Sequence, residues 1–521
     1  MKLANLDIGV IIAYAVFIIG LAQWVSRKHG VEGRNTSDYF LAGKSLPWWA
    51  IGTSLIAANI SAEQIIGMSG SGFALGLGIA SYEWMAAITL LIVGKYFLPI
   101  FLHQGIYTMP QYLEQRYDHS VRMVMAVFWL GVYIFVNLTS ILWLGALALN
   151  SIAGVDMLHG MIALAFLAVA YSLYGGLKAV ALTDIVQVIL LIAGGMIVCV
   201  LALDQVSGGA GAIAGFKELT KARPDLFDMI LSPDNPHYQS LPGISVLVGG
   251  LWVMNISYWG CNQYIIQRAL AAKSIREAQK GIVLAAALKI LVPVLVVFPG
   301  IAAAVLIPDL AKPDQAYAEM MKLVPAGIRG LVFAALIAAI LSSLGSMMNS
   351  ISTIFTMDIY RHFRPDTSEK ILVRVGRGVA LSAILIAVII ARPLLAGFDQ
   401  AFQFIQEFTG FFTPGVVVLF IFGLFWRGMT TKGALVAAVG SAAFSIALKL
   451  AWPGLPFMDR VGLVFILCAV LGIVISKLES ARARSEDQPD FSRINFGTSS
   501  AFNASAVAIS LVVMALYATW W

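Results

Sequence analysis

Runs of about 20 apolar residues recur along the whole chain, each long enough to cross a bilayer as a helix. About fourteen can be counted, centred near residues 16, 58, 90, 137, 165, 192, 256, 292, 344, 382, 411, 440, 467 and 510. Within hydrocarbon an unpaired backbone N–H or C=O has no water to bond, so only helices and closed barrels span a membrane. Runs this long call for helices. The composition agrees, at 60% hydrophobic and 12% charged residues with a mean hydropathy of +0.86. A water-soluble domain of 521 residues is not built this way.

The first run lacks the small-residue cleavage site of a signal peptide and reads as a retained span. An isoelectric point near 9.1 is compatible with nucleic acid, but the basic residues follow topology instead of forming one face. With the N-terminus outside, roughly 22 of the 34 Lys and Arg fall in cytoplasmic loops, about nine fall outside and about three lie within spans. An even span count puts the C-terminus outside as well. Cys199, Cys261 and Cys468 show neither metal-ligand spacing nor a disulfide pattern and read as buried thiols. The longest polar connection, Asp204–Pro242, lies outside and carries a short amphipathic helix around Phe216–Ala222. Lys477–Asn495 is a charged cytoplasmic linker before the last span, and Lys449, near a span end, snorkels.

Two of the runs are interrupted alike. The second carries Ala57-Ala58-Asn59-Ile60-Ser61-Ala62-Glu63-Gln64, and the seventh carries Asn255-Ile256-Ser257-Tyr258-Trp259-Gly260-Cys261-Asn262-Gln263. Polar and small residues at mid-membrane depth are costly unless they line a cavity, and matched interruptions in two halves point to a transporter's binding site. Five spans separate the two, an odd number, so the second unit is inverted relative to the first. This predicts an all-α polytopic protein with a 5+5 inverted repeat, one extra helix before it and three after. The units are 1–45 (extra helix and cytoplasmic loop), 46–205 (first repeat), 206–243 (extracellular loop), 244–426 (second repeat) and 427–521 (three final helices).

Chemistry concentrates at and near the breaks. Unwinding around Asn59, Ser61, Glu63 and Gln64 frees carbonyls that suit a hard monovalent cation. A Gly/Ser/Ala packing face needs neither Glu63 nor Gln64. Glu83 is an acid in an apolar run and requires a cation, a proton or several donors. Substrate hydroxyls would serve, and so would a structural pair with Lys95 or Lys289. Lys289 stands alone in the apolar stretch Gly281–Val297, too far from either end to snorkel. Ser342 and Ser343 follow Ala338-Ala339-Ile340-Leu341 and can offer oxygens to a cation or pack a helix face. Gln403 and Gln406 are one turn apart with flanking aromatics, a pattern suited to a sugar: amides for hydroxyls, rings for C–H faces. No phosphate-binding loop, HExxH, CxxC or nucleophile elbow occurs, so neither ATP drive nor an enzyme is indicated, and no cofactor is called for.

These residues, with Asp38-Tyr39-Phe40-Leu41-Ala42-Gly43-Lys44, Thr108-Met109-Pro110-Gln111-Tyr112-Leu113, Tyr174-Gly175-Gly176-Leu177, Thr183-Asp184 and Gly423 through Gly440, make the chain resemble the sodium:solute symporter family over almost its whole length. Within that family it is similar to the sodium/galactose and sodium/glucose cotransporters. The resemblance implies a LeuT-type fold in a cytoplasmic (inner) membrane, a neutral sugar as solute and sodium as coupling ion. It implies a sugar site of Gln64, Glu83, Asn255, Tyr258, Lys289 and Gln406, with Tyr258 and Trp259 as inner gate and Met68, Tyr82 and Phe402 as outer lid. It further implies a sodium site from the carbonyls of Ala57, Ile60 and Ala339 and the hydroxyls of Ser342 and Ser343, with Asp184 on the sodium path. Ala86 stands where the galactose transporter carries a serine, so one hydroxyl contact is missing or supplied by water. Another family solute, such as myo-inositol, an amino acid or a carboxylate, is the alternative. An anion would want an Arg or a bare helix N-terminus in the site.

Overall fold

The structure, a computed structural model, describes residues 3–27, 40–172, 176–395, 401–479 and 494–521. Asp38, Tyr39, Tyr174, Gly175 and most of the linker Lys477–Asn495 lie outside the described residues. Among the described residues the chain is all-helical, with no strand and one isolated bridge between Leu46 and Ala272. Nine helices there are long and apolar enough to cross a membrane. A tenth crossing is a bent pair, Phe402–Gly410 and Thr413–Phe425, meeting at 54°; this bend is absent from the sequence expectations.

Both interrupted runs are broken. The first forms a helix over Trp48–Asn59, passes through an extended Ile60 (φ −75°, ψ 91°) and resumes as wide turns over Glu63–Met68 and an α-helix over Ser69–Leu75. The second runs Gly250–Ile256, widens over Ser257–Cys261, extends at Asn262 (φ −87°, ψ 121°) and resumes over Gln263–Leu270. The bridge joins the start of the first to the end of the second: Leu46 N–H donates to Ala271 O at 3.0 Å, and beside it Trp48 N–H donates to Glu277 of helix Ile275–Leu306 at 2.8 Å.

Helix Ile275–Leu306 backs both halves of the first broken helix. The approach depends on glycines. A Cβ at Gly52 would lie 2.7 Å from the Gly281 carbonyl oxygen, one at Gly281 2.8 Å from Ile51, and one at Gly300 2.1 Å from the Ser69 carbonyl oxygen. Lipid supplies no hydrophobic drive between helices, so close backbone packing of small residues has to do that work. The long connection after helix Gly176–Val206 carries an amphipathic helix over Ala212–Ala222, and all three cysteines are buried free thiols. Lys449, half-exposed in the last turn of helix Thr431–Ala451, pairs its ammonium with Glu407 at 2.9 Å. Glu407 lies one turn beyond Gln403, on a helix the sequence does not place beside Lys449.

The first helix, Asn5–Arg27, is pinned by Asp7, which is fully buried. Its carboxylate accepts from the N–H groups of Gly327 (2.7 Å) and Gly330 (2.9 Å) at the start of helix Ile328–Ile354, and from Arg329 at 2.9 Å. A carboxylate at a helix N-terminus is stabilised by unpaired N–H groups and the dipole. Removing one member of a buried pair costs about 3–5 kcal/mol. Asp7→Ala is therefore expected to lower the thermal midpoint of the detergent-purified protein sharply, by fluorescence-detected size exclusion. A midpoint unchanged within error would show that this clamp does not hold the first helix.

Candidate functional site

The first break is held open by its own side chains. Ser61 N–H, which in a continuous helix would bond the Ala57 carbonyl, donates instead to Gln64 Oε1 at 3.2 Å, and Ser61 Oγ donates to the same oxygen at 3.1 Å. Glu63 N–H goes to Ser61 Oγ at 3.1 Å. The Ala57 carbonyl thus loses its ladder donor at the point where the resemblance implies a sodium ligand. At the second break, Gln263 N–H donates to the Tyr133 hydroxyl at 3.0 Å, and that hydroxyl donates to Asn262. The Gln263 amide accepts from Met109 N–H at 2.8 Å and donates to Tyr107 O at 3.1 Å. The Thr108–Leu113 motif therefore secures the half Gln263–Leu270 of the second broken helix. It also caps its own short helix through Thr108, which reaches Asp358 at 2.9 Å.

Between the breaks lies a cavity of about 110 Å³. Gln64, Glu83, Asn255, Tyr258, Lys289 and Gln406 all line it, as do Tyr82, Trp259, Phe402 and Ala86. Lys289 is 1% exposed and Glu83 3%. The Lys289 ammonium donates to both Glu83 and Asn59 Oδ1, and sits 4.9 Å from the centre of the Trp259 ring. Asn59 Nδ2 donates to the Tyr258 hydroxyl at 3.0 Å, and Tyr258 shares a hydrogen bond with Tyr264. One polar chain therefore runs from the third span through both broken helices. Lys289, and not Lys95, is the partner of Glu83. Two buried wall atoms, Asn255 Nδ2 and the Tyr82 hydroxyl, have no hydrogen-bond partner in the protein, as suits groups aimed at a polar solute. Tyr82 packs edge-on against Phe402, centroids 5.4 Å apart, and Met68 is fully buried. Gln403 does not join this wall; it turns to a different cavity.

The hydroxyl pair occupies a separate buried corner. Ser343 Oγ donates to Ala58 O at 3.0 Å, joining helix Ile328–Ile354 to the first break. Ser342 Oγ donates to Asp184 at 2.5 Å, and Ser54 donates to the other Asp184 oxygen. Arg268, fully buried, lies 3.7 Å from Asp184, donates to Ser54 at 2.7 Å and also reaches Ser346. The oxygen lone pairs of Ser342 and Ser343 stay available to a cation, since each hydroxyl spends only its hydrogen.

Several residues here escaped the sequence reading. Asn59 is named from the sequence as part of the unwound stretch, but not as the partner of Lys289 and Tyr258. Arg268 was visible only as one of several cytoplasmic basic residues. Ser140, which donates to Glu63, and Asn137, which lines the cavity, lie in an apolar run with no pattern to mark them.

The sequence profile of the sodium:solute symporter family matches residues 39–440. A sodium/glucose cotransporter of Vibrio parahaemolyticus is 50% identical over all of this chain and 99% of its own length. A sodium/myo-inositol cotransporter 2 of Mus musculus is 33% identical over 82% of this chain and 67% of its own. Among solved structures, a Na+-coupled sialic acid symporter in a substrate-bound outward-open state superposes with a TM-score of 0.79 at 23% identity, covering 91% of this chain and 98% of that one.

Glu83 and Lys289 are coupled by burial. Glu83→Gln leaves the Lys289 charge unpaired, so it is expected to destabilise more than the double variant Glu83→Gln/Lys289→Met does, with an interaction term of roughly 0.5–3 kcal/mol. Thermal midpoints of the two singles and the double in detergent give this term directly. Strict additivity would mean that the two groups do not share a dry environment.

Proposed function

Because the chain belongs to the sodium:solute symporter family, we propose that it imports a neutral hexose of the glucose or galactose type together with sodium, by alternating access. It is a transporter and not an enzyme. The observation that carries the solute assignment is the cavity wall: amides from Gln64, Asn255 and Gln406, the carboxyl groups of Glu63 and Glu83, the Lys289 ammonium and the rings of Tyr258 and Trp259. Both acids are engaged within the protein, Glu83 by Lys289 and Glu63 by the Ser140 hydroxyl, which leaves amides and rings for an uncharged, hydroxyl-rich guest. The unpartnered Asn255 Nδ2 supports the same reading.

The crossing count is part of the proposal. To the ten crossings by length and composition are added Asn5–Arg27, Met157–Ser172 and the second broken helix; Glu63–Gln104 is divided at the turn begun by Gly76 (φ +74°), the first piece joining Trp48–Asn59. This makes fourteen, arranged as the LeuT-type 5+5 inverted repeat over 46–205 and 244–426, in the cytoplasmic membrane with both termini outside. Sodium coming from outside binds among the Ala57, Ile60 and Ala339 carbonyls and the hydroxyls of Ser342 and Ser343, with Asp184 on its path. It bridges the first break to helix Ile328–Ile354, where the Ser343–Ala58 bond already joins them. That fixes Gln64 and Asn59 for the sugar, so the two ligands bind with positive coupling. Met68, Tyr82 and Phe402 close over the sugar from outside. Rocking of the repeats and withdrawal of Tyr258 and Trp259 then release both ligands to the cytoplasm. Each sodium gains about 2.3 kcal/mol per 100 mV of inside-negative potential.

A second solute, myo-inositol, is favoured by a specific observation. Ala86 lines the cavity without the hydroxyl expected there, and a relative named for myo-inositol is among the matches. Sites built to bind a hydroxyl discriminate strongly, so one lost contact can reorder preferences.

In proteoliposomes, hexose uptake is expected to vanish when sodium is replaced by choline. Ser343→Ala should raise the half-saturating sodium concentration by about ten- to hundredfold, the equivalent of about 1.5–3 kcal/mol. Gln64→Ala should abolish uptake with the protein still folded. Uptake that proceeds equally in choline would end the coupling mechanism, and myo-inositol outcompeting every hexose would transfer the assignment to the cyclitol.

A further inference from the structure

The bent lid helix presents two faces to two cavities. Phe402, Ile405, Gln406 and Thr409 face the central one, whereas Gln403, Phe404 and Glu407 face a second. The second cavity has a volume of about 510 Å³, within the roughly 300–1,000 Å³ usual for small-molecule sites. Its other walls come from the long outer loop at Gln239, the turn at Pro453–Leu455 and the start of helix Phe457–Glu479. By the proposed topology it opens to the outside.

Its chemistry is that of a built site. Arg460, 5% exposed, donates to Glu407 at 2.8 Å, and Lys449 reaches the same oxygen at 2.9 Å. Both cations also lie over the Phe411 ring, at 5.0 and 5.5 Å. One Glu407 oxygen thus takes both donors and the other is left to accept. Both polar atoms of the Gln403 amide are buried with no hydrogen-bond partner in the protein. A buried primary amide with neither donor nor acceptor satisfied is rare and calls for a ligand or water. Gln239 donates to Gly454 O at 3.0 Å and so ties the loop across the rim. Beside these groups the Phe457 ring supplies an apolar wall.

We propose that this cavity is a second, weaker binding site for a neutral hexopyranose, on the back of the lid helix and reached from outside. The Gln403 amide and the free Glu407 oxygen would bond its hydroxyls, and Phe457 would cover a C–H face. This rests on the sugar-transport reading given above. The same short helix carries Phe402 and Gln406, so a sugar held behind it bears on the lid of the transport site without entering it.

Equilibrium binding of labelled galactose and glucose to the full chain in nanodiscs, with saturating sodium, tests the idea. Two components are expected, the tighter one sodium-dependent. Gln403→Leu and Phe457→Ala should each weaken the looser component at least about tenfold and leave the tighter one in place. Gln64→Ala should do the reverse, retaining only the looser component. A binding curve that saturates at one sugar per chain, or a looser component untouched by both Gln403→Leu and Phe457→Ala, would overturn the second site. Loss of the tighter component's sodium dependence would instead count against the symport reading. Should Gln403→Leu fail to fold, Phe457→Ala alone decides.

Discussion

A backbone N–H released from a helix in the middle of a membrane has no water to receive it, and the breaks of this protein are arranged around that cost. At the first break, Gln64 and Ser61 take up the released groups through side chains three residues apart. At the second, the Tyr133 hydroxyl receives the released Gln263 N–H, and the Met109 N–H holds the Gln263 side chain in place. The different solutions leave different residues free. The first break exposes carbonyl oxygen, which suits a cation. The second turns Asn255 and the ring of Tyr258 toward the central cavity.

Charge is handled by the same economy. Four buried carboxylates each meet a guanidinium or ammonium from a helix far away in sequence: Asp7 with Arg329, Glu83 with Lys289, Asp184 with Arg268, and Asp358 with Arg122. Pairs like these add little net stability over apolar packing, but a broken pair is expensive, so they dictate which helices must lie together. Asp7 anchors the N-terminal end of the first helix. Asp358, bonded by Thr108 and Arg122, ties the C-terminal end of helix Ile328–Phe363 to residues 108–122. Glu83 lines the central cavity, and Asp184 accepts from the hydroxyls of Ser342 and Ser54.

Much of this was legible in the residues, and the limits follow from physics. Hydrophobic length announces crossing helices, and polar residues in such runs announce the breaks, because both effects are local. Glu83 and Lys289 stand out singly for the same reason. Their pairing does not, since Lys95 fits the sequence equally well and only the packing of Gly52, Gly281 and Gly300 brings Lys289 to the right depth. The separation of Gln403 from Gln406 was likewise hidden. One turn apart on a helix suggests a shared face, yet a residue between two cavities can serve either. Ser140 and Asn137 carry no local signal at all.

The 54° bend after Gly410 makes the outer piece a short lever with its pivot in the aromatic pair Phe411–Phe412. From Gly410 to Phe402 is about 12 Å along the axis, so a tilt of roughly 10° would shift the ring at its tip by about 2 Å. Clearing the doorway over the solute would then take a small swing at one joint, while the inner piece Thr413–Phe425 keeps its seat.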